Sequence, residues 1–261
     1  MSAAQTVRRR RASAYAVVFV ALVIIGAAYA AFAPSGQAQT NKPTADLIAK
    51  GNALFLQGCS TCHGLSGQGS SVAPSLIGVG GAAVDFQVGT GRMPLEQRGP
   101  QAERKKPHYN QDDIDALAAY VESLGGGPSQ PSAADVDTTG ADVAEGGELF
   151  RTNCASCHNF VGRGGALAHG LYAPSLTNTT PKHIYEAMLT GPSNMPVFGD
   201  STITPEDKRK IIAFVTSLSA EPNPGGNALG RIGPVPEGLV GWLAGIGLLV
   251  IAAVWIGARA S

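Results

Sequence analysis

At 261 residues, with 34 Gly, 17 Pro and only 6% aromatic side chains, the chain suits two small, loop-rich domains with appendages rather than one large packed core. Its formal charge at pH 7 is zero, 19 Lys and Arg against 19 Asp and Glu, so no basic excess marks a nucleic-acid partner. The charge is unevenly placed: four arginines and no acid precede residue 34, Arg259 alone follows residue 238, and every acid lies between.

Arg8, Arg9, Arg10 and Arg11 make residues 1–14 a basic tail in front of an apolar run, residues 15–33. That run reads as an N-terminal signal anchor or a signal peptide. It is close to spanning length, and Pro34 obstructs cleavage after Ala31-Phe32-Ala33; Gly36-Gln37-Ala38 is a weaker second cleavage candidate. In either case the arginines stay in the cytoplasm and the following chain is exported.

After a polar spacer, helix spacing begins near Thr44 with Leu47, Ile48, Gly51, Leu54 and Phe55, and runs into Cys59-Ser60-Thr61-Cys62-His63. A Gly/Ser-rich loop over 64–81 holds Pro74. A short helix from Val84 to Gly89, then Met93-Pro94, a basic loop from Arg98 to Lys106 and a closing helix over Asp112–Leu124 follow. The same order recurs from residue 143. Gly146 to Phe150 echoes Gly51 to Phe55, Cys154-Ala155-Ser156-Cys157-His158 repeats the cysteine motif, Ala173-Pro174-Ser175-Leu176 repeats Ala73-Pro74-Ser75-Leu76, and Met195-Pro196 repeats Met93-Pro94. A helix over Thr204–Leu218, opened by the capping box Thr204-Pro205-Glu206-Asp207, closes the second copy. The expected domains are therefore 44–125 and 143–220, joined by a flexible Gly/Pro/Ser linker over 126–142. A second linker over 221–238 leads to an apolar helix over 239–258, with Trp242 and Trp255 near its ends, which reads as a transmembrane anchor.

C-x-x-C-H is the attachment signature of c-type haem: two thiols reach two vinyl groups of one porphyrin, and the next histidine supplies the proximal imidazole. Two covalent haems are expected, on Cys59 and Cys62 with His63, and on Cys154 and Cys157 with His158. Zinc and a thioredoxin-like dithiol fit poorly, because each pair carries an adjacent histidine and the pairs lie far apart. For the sixth iron position Met93 and Met195 occupy matching places; Met188, His108, His169 and His183 are the competitors. Pro74 and Pro174 either offer a carbonyl to the free N–H of the proximal histidine or only stiffen their loop.

With these elements each half resembles a class I cytochrome c domain. The chain as a whole is similar to the dihaem cytochrome c subunit of the actinobacterial cytochrome bcc (bc1-type) complex. The resemblance implies a mainly α fold: two tandem class I cytochrome c domains, a C-terminal transmembrane helix and an N-terminal signal anchor. It implies a subunit without substrate chemistry or catalytic residues of its own, within a menaquinol-oxidising reductase and translocase of the respiratory chain. Its partners would be cytochrome b, the Rieske iron–sulfur subunit and an aa3-type cytochrome c oxidase, with the haem domains on the extracytoplasmic side of the cell membrane. The cytochrome subunit of another membrane oxidase or dehydrogenase, and a dihaem peroxidase, are the alternatives.

Overall fold

The structure, a computed structural model, describes residues 15–27, 43–97, 99–220, 229 and 234–260. The basic tail, the candidate cleavage sites, the spacer after them, Arg98 and most of the second linker lie outside the described residues. Two compact units divide the chain at residues 42 and 43. Of the first, the structure describes helix α1 (Tyr15–Ala27), apolar and exposed along its length.

In the second unit, α2 (Ala45–Gly58) leads into the one-turn α3 (Ser60–His63), and α4 (Gly81–Gly89) and α5 (Gln111–Ser123) complete the first half. The second half repeats the order: α6 (Val143–Asn153), one-turn α7 (Ala155–His158), α8 (Pro181–Thr190) and α9 (Pro205–Ala220). It adds the two-residue strands β1 (Gly165–Ala166) and β2 (Tyr172–Ala173), paired antiparallel around a 3₁₀ turn at Ala168–Gly170. Side-chain caps set the helix starts. Thr44, Asn110, Thr180 and Thr204 each accept from the backbone N–H three residues on, and Asp142 accepts from Ala144 and Glu145. The expected box at Thr204 forms, with the Thr204 hydroxyl also donating to Asp207 at 2.8 Å.

The first helix of each half crosses the last at a glycine. A Cβ on Gly51 would overlap the Ala116 carbonyl, and one on Gly146 would overlap the Lys210 carbonyl, so neither crossing admits a side chain. One turn on, Phe55 packs on Tyr120 with ring centroids 5.1 Å apart, and Phe150 on Phe214 at 5.3 Å. Each half has its own apolar core around its phenylalanine.

Three expectations need correction. Helix α4 begins at Gly81 rather than Val84, because the Pro128 carbonyl accepts from Ala82 N at 3.0 Å and tethers the first turn. The linker is consequently not free. Gly127 abuts Gly78 and Gly80, Gln130 donates to Asp115 at 3.0 Å, and Val136 packs on the second core. Finally, the C-terminal helix α10 runs from Pro234 to Ala260, taking the last residues of the expected second linker. The first turn of a helix has no intrahelical use for its N–H groups, so Pro234 and Pro236 do not stop it. Its apolar stretch Pro236–Arg259 has 24 residues, about 36 Å of helix, and none of it is buried in the protein. A helix apolar on all sides and covered by nothing suits a bilayer.

Candidate haem sites

Both cysteine motifs take the same shape. The main helix ends as Cys59 N donates to Phe55 O and Cys154 N to Phe150 O, each at 2.8 Å. One extra turn follows, closed by His63 N to Cys59 O and His158 N to Cys154 O, each at 2.9 Å. A three-residue step on a helical turn places both sulfurs of a pair on one side, with the histidine next along. Cys59 and Cys154 are half-buried and Cys62 and Cys157 exposed, and none is in a disulfide. Burial, and then the neighbouring Cys157, push the Cys154 thiol up to about 11; burial and Cys62 raise Cys59 in the same way.

The role of the prolines, open in the sequence, is decided by geometry. His63 Nδ1 lies 2.8 Å from the Pro74 carbonyl and His158 Nδ1 3.0 Å from the Pro174 carbonyl. A carbonyl only accepts, so Nδ1 carries the proton in both rings, and the Nε2 lone pair is left for a metal. The carbonyls are delivered by a shared loop frame. Gly69 N donates to His63 O at 2.7 Å and Leu76 N to Gly67 O at 2.7 Å; Gly164 N donates to His158 O at 2.8 Å and Leu176 N to Gly162 O at 2.7 Å. Gly69 (φ +84°) and Gly164 (φ +81°) turn the chain where a Cβ would strike the backbone of the returning strand. His158 is buried, and burial lowers its pKa although the Pro174 hydrogen bond opposes this, so the neutral imidazole is favoured.

Cys154, Cys157, His158 and Met195 all line one cavity of about 1330 Å³, open mouth included. Met188 and His183 line it too. The helices suggest how to separate the methionines. Thr90 hydrogen-bonds back to Phe86 O and Thr190 to Glu186 O, so Thr90-Gly91 corresponds to Thr190-Gly191. Met188 then falls opposite Val88, and both are buried core residues, whereas Met195 and Met93 follow in the loops. In the first half Met93 and Cys59 both pack against the same core. His108 stacks edge-on against Tyr109 and His169 stands exposed on the 3₁₀ turn; neither lines the cavity.

Part of the cavity wall comes from the first half: Phe86, Thr90, Arg92, Gln101 and Arg104. The basic loop clasps the second half. Arg104 donates to Asn178 O at 3.1 Å and to Thr179 at 3.4 Å, and the Gln101 side chain accepts from Tyr172 N at 3.0 Å. Lys105 pairs with Glu96 at 3.0 Å. Beside this clasp α4 packs on α8. Asp85, fully buried, meets Lys182 at 2.8 Å and accepts from Gln111 at 2.9 Å. Sequence reading passed over Arg92; the signal was that the residue before the methionine is Arg92 in one copy and Asn194 in the other.

The family model described as Cytochrome c matches residues 48–125, and that described as Cytochrome C oxidase, cbb3-type, subunit III matches residues 141–215. The chain is 45% identical to the cytochrome bc1 complex cytochrome c subunit of Corynebacterium efficiens, over 99% of this chain and 94% of that one. For the subunits of the same name from Corynebacterium diphtheriae and Mycobacterium leprae the identity is 46%, covering 98% and 94% of this chain and 97% and 87% of theirs. The chain belongs to the family of cytochrome bc1 complex cytochrome c subunits. It is accordingly a membrane cytochrome c of a bc1 complex, an electron-transfer subunit that works among others. The cbb3-type family model covers only the second half, and two cytochrome c domains with two CxxCH sites are consistent with covalent haem in each.

Proposed function

We propose that this subunit is a tethered electron wire, its two covalent c-type haems carrying single electrons from a Rieske centre to an aa3-type oxidase. Cys59 and Cys62 would hold the first haem and Cys154 and Cys157 the second. His63 and Met93, and His158 and Met195, would be the axial ligands. The observation that carries the reading is the pair of equivalent bonds from His63 and His158 Nδ1 to proline carbonyls, which orient both imidazoles with Nε2 free for iron. Thioether sulfurs of methionine at the sixth position close the iron to substrates, which suits a carrier and disfavours a peroxidase. Helix α10 keeps both haem-binding halves at the membrane surface, on the extracytoplasmic side, at high local concentration near cytochrome b, the Rieske subunit and the oxidase.

The test combines haem chemistry with tethering. A pyridine haemochrome assay should give two haems per chain. Met93→Ala and Met195→Ala should each keep both haems while one iron gains carbon monoxide binding. A chain truncated before Pro234 should keep two haems, yet membranes carrying only that form should lose most quinol-driven oxygen uptake. One haem per chain, no carbon monoxide binding in either variant, or uptake at the full rate would each defeat the corresponding part.

A further inference from the structure

The cavity of the second half holds two positive side chains and no negative one. Among its described lining residues there is no Asp and no Glu, while Arg92 and Arg104 both face it from the first half. None of the ion pairs among the described residues involves either arginine. Arg92 is 9% exposed, and its position is fixed from two sides. Its guanidinium lies over the Phe86 ring, 4.8 Å from the centroid, and donates to the Thr90 hydroxyl at 2.7 Å, which itself donates to Phe86 O. That one bond leaves the other N–H groups of a five-donor fork available. Arg104 is held by Asn178 and Thr179 on the opposite side of the interface.

A buried guanidinium beside a second cation, in a wall otherwise apolar or neutral, is costly unless an anion completes it. Resting on the haem reading above, we infer that Arg92 and Arg104 of the first half form the carboxylate site for the second half's haem, binding a propionate across the interface. The fork geometry of a guanidinium suits a carboxylate in two-point contact. Both arginines would hold the haem by its carboxylate, and neither is offered as an iron ligand. Arg92 directly precedes Met93, so the loop that would bring the first haem its methionine is anchored by the second haem's carboxylate. The second haem thereby sits in a site that neither half completes alone.

Positive charge beside a haem favours its reduced form, so removing it lowers the potential. The test uses the full-length protein from membranes in wild type, Arg92→Gln, Arg92→Lys and Arg104→Gln, each assayed for haem content and titrated by spectroelectrochemistry. Met195→Ala marks which redox wave belongs to the second haem. All forms should carry two haems per chain. Arg92→Gln and Arg104→Gln should each lower the second haem's wave about tenfold in its reduction equilibrium, about 59 mV. Arg92→Lys, which keeps the charge, should retain most of the wild-type value. Arg104 is exposed, but its neighbour Lys105 donates to Thr90 O and Pro94 O beside Met93, so an unmoved first-haem wave in Arg104→Gln is required to separate an effect on the second haem from a disturbed Met93 loop. Two haems per chain with the second wave unmoved in Arg104→Gln, or the two variants acting on different waves, would overturn the arginine site alone. Fewer than two haems in wild type would overturn the haem reading and this site with it.

Discussion

The two halves share helices, caps, glycine crossings and a histidine held by a proline carbonyl, yet they differ in how the site is walled. From histidine to proline carbonyl the chain takes 11 residues in the first half and 16 in the second. The longer path makes room for the β1–β2 hairpin and its 3₁₀ turn, and the hairpin is what the Gln101 loop of the first half grips. His158 is buried where His63 is only half-buried. A duplicated domain has thus become asymmetric: the first half is a complete unit and also a lid for the second. In a more enclosed site the low dielectric would weigh on the charged oxidised form, so a haem held by His158 would be the better electron acceptor on environment alone.

The largest expected test of this asymmetry lies where α4 meets α8. Burial, then the hydrogen bond and charge of Asp85, push Glu186 up to about 10, so it is protonated in the folded protein at neutral pH. Burial also raises Asp85, but the neighbouring Glu186, Lys182 at 2.8 Å and Gln111 at 2.9 Å outweigh it and hold Asp85 below the usual range. In the unfolded chain a glutamate loses its proton above about 4.3. Between that value and about 10 the unfolded state binds fewer protons than the folded one, so stability falls as pH rises through the window. The slope approaches at most about 1.4 kcal/mol per pH unit. Glu186→Gln keeps the shape and has no proton to lose. Its stability relative to wild type should therefore climb from pH 5 to pH 9 in denaturant titrations; a flat difference would mean that Glu186 does not hold the proton.

Next in size are the crossings, where the halves should behave alike. Gly51→Ala and Gly146→Ala each put a methyl group into a backbone carbonyl, which a flexible side chain could not relieve. Each should cost about 3 kcal/mol, seen as a lower midpoint of thermal unfolding. Because the linker and the α4–α8 contact bind the halves together, one cooperative transition should move in both variants. Two separate transitions would show that the halves unfold independently.

The features that repeat along the chain were legible because their causes are local. Motif, cap and helix period each act within a few residues, so the mainly α fold, the duplicated order and the C-terminal apolar helix could be read directly. Helix starts failed where Gly80 and Gly81 look like breakers but Pro128, distant in sequence, supplies the missing partner. The clasp failed for a deeper reason. Nothing in the spacing of Gln101, Arg104 or Asp85 says which half their side chains meet, because that depends on how two finished domains dock. A basic loop reads as solvated until its carbonyl and hydroxyl partners, seventy-odd residues away, are in place.

The smallest expected effect falls on the hydrogen bond that, among the described residues, joins the inserted hairpin to the first half. The Gln101 side chain accepts from Tyr172 N at 3.0 Å near solvent, so removing it lets water replace the acceptor and should cost about 1 kcal/mol or less. Global stability is a poor readout for so little, but the amide itself reports it. In Gln101→Ala the Tyr172 amide should exchange with solvent up to about fivefold faster, the factor that 1 kcal/mol allows. The corresponding amides of the first-half loop, Gly69 and Leu76, bond to His63 and Gly67 within their own half and should keep their rates. A response confined to Tyr172 and its neighbours in the hairpin would mean that the second loop leans on the first half while the first loop stands alone. Unchanged exchange at Tyr172 would show the hairpin to be self-supporting, and the dependence of the second site on the first would then rest on the arginines and the α4–α8 contact.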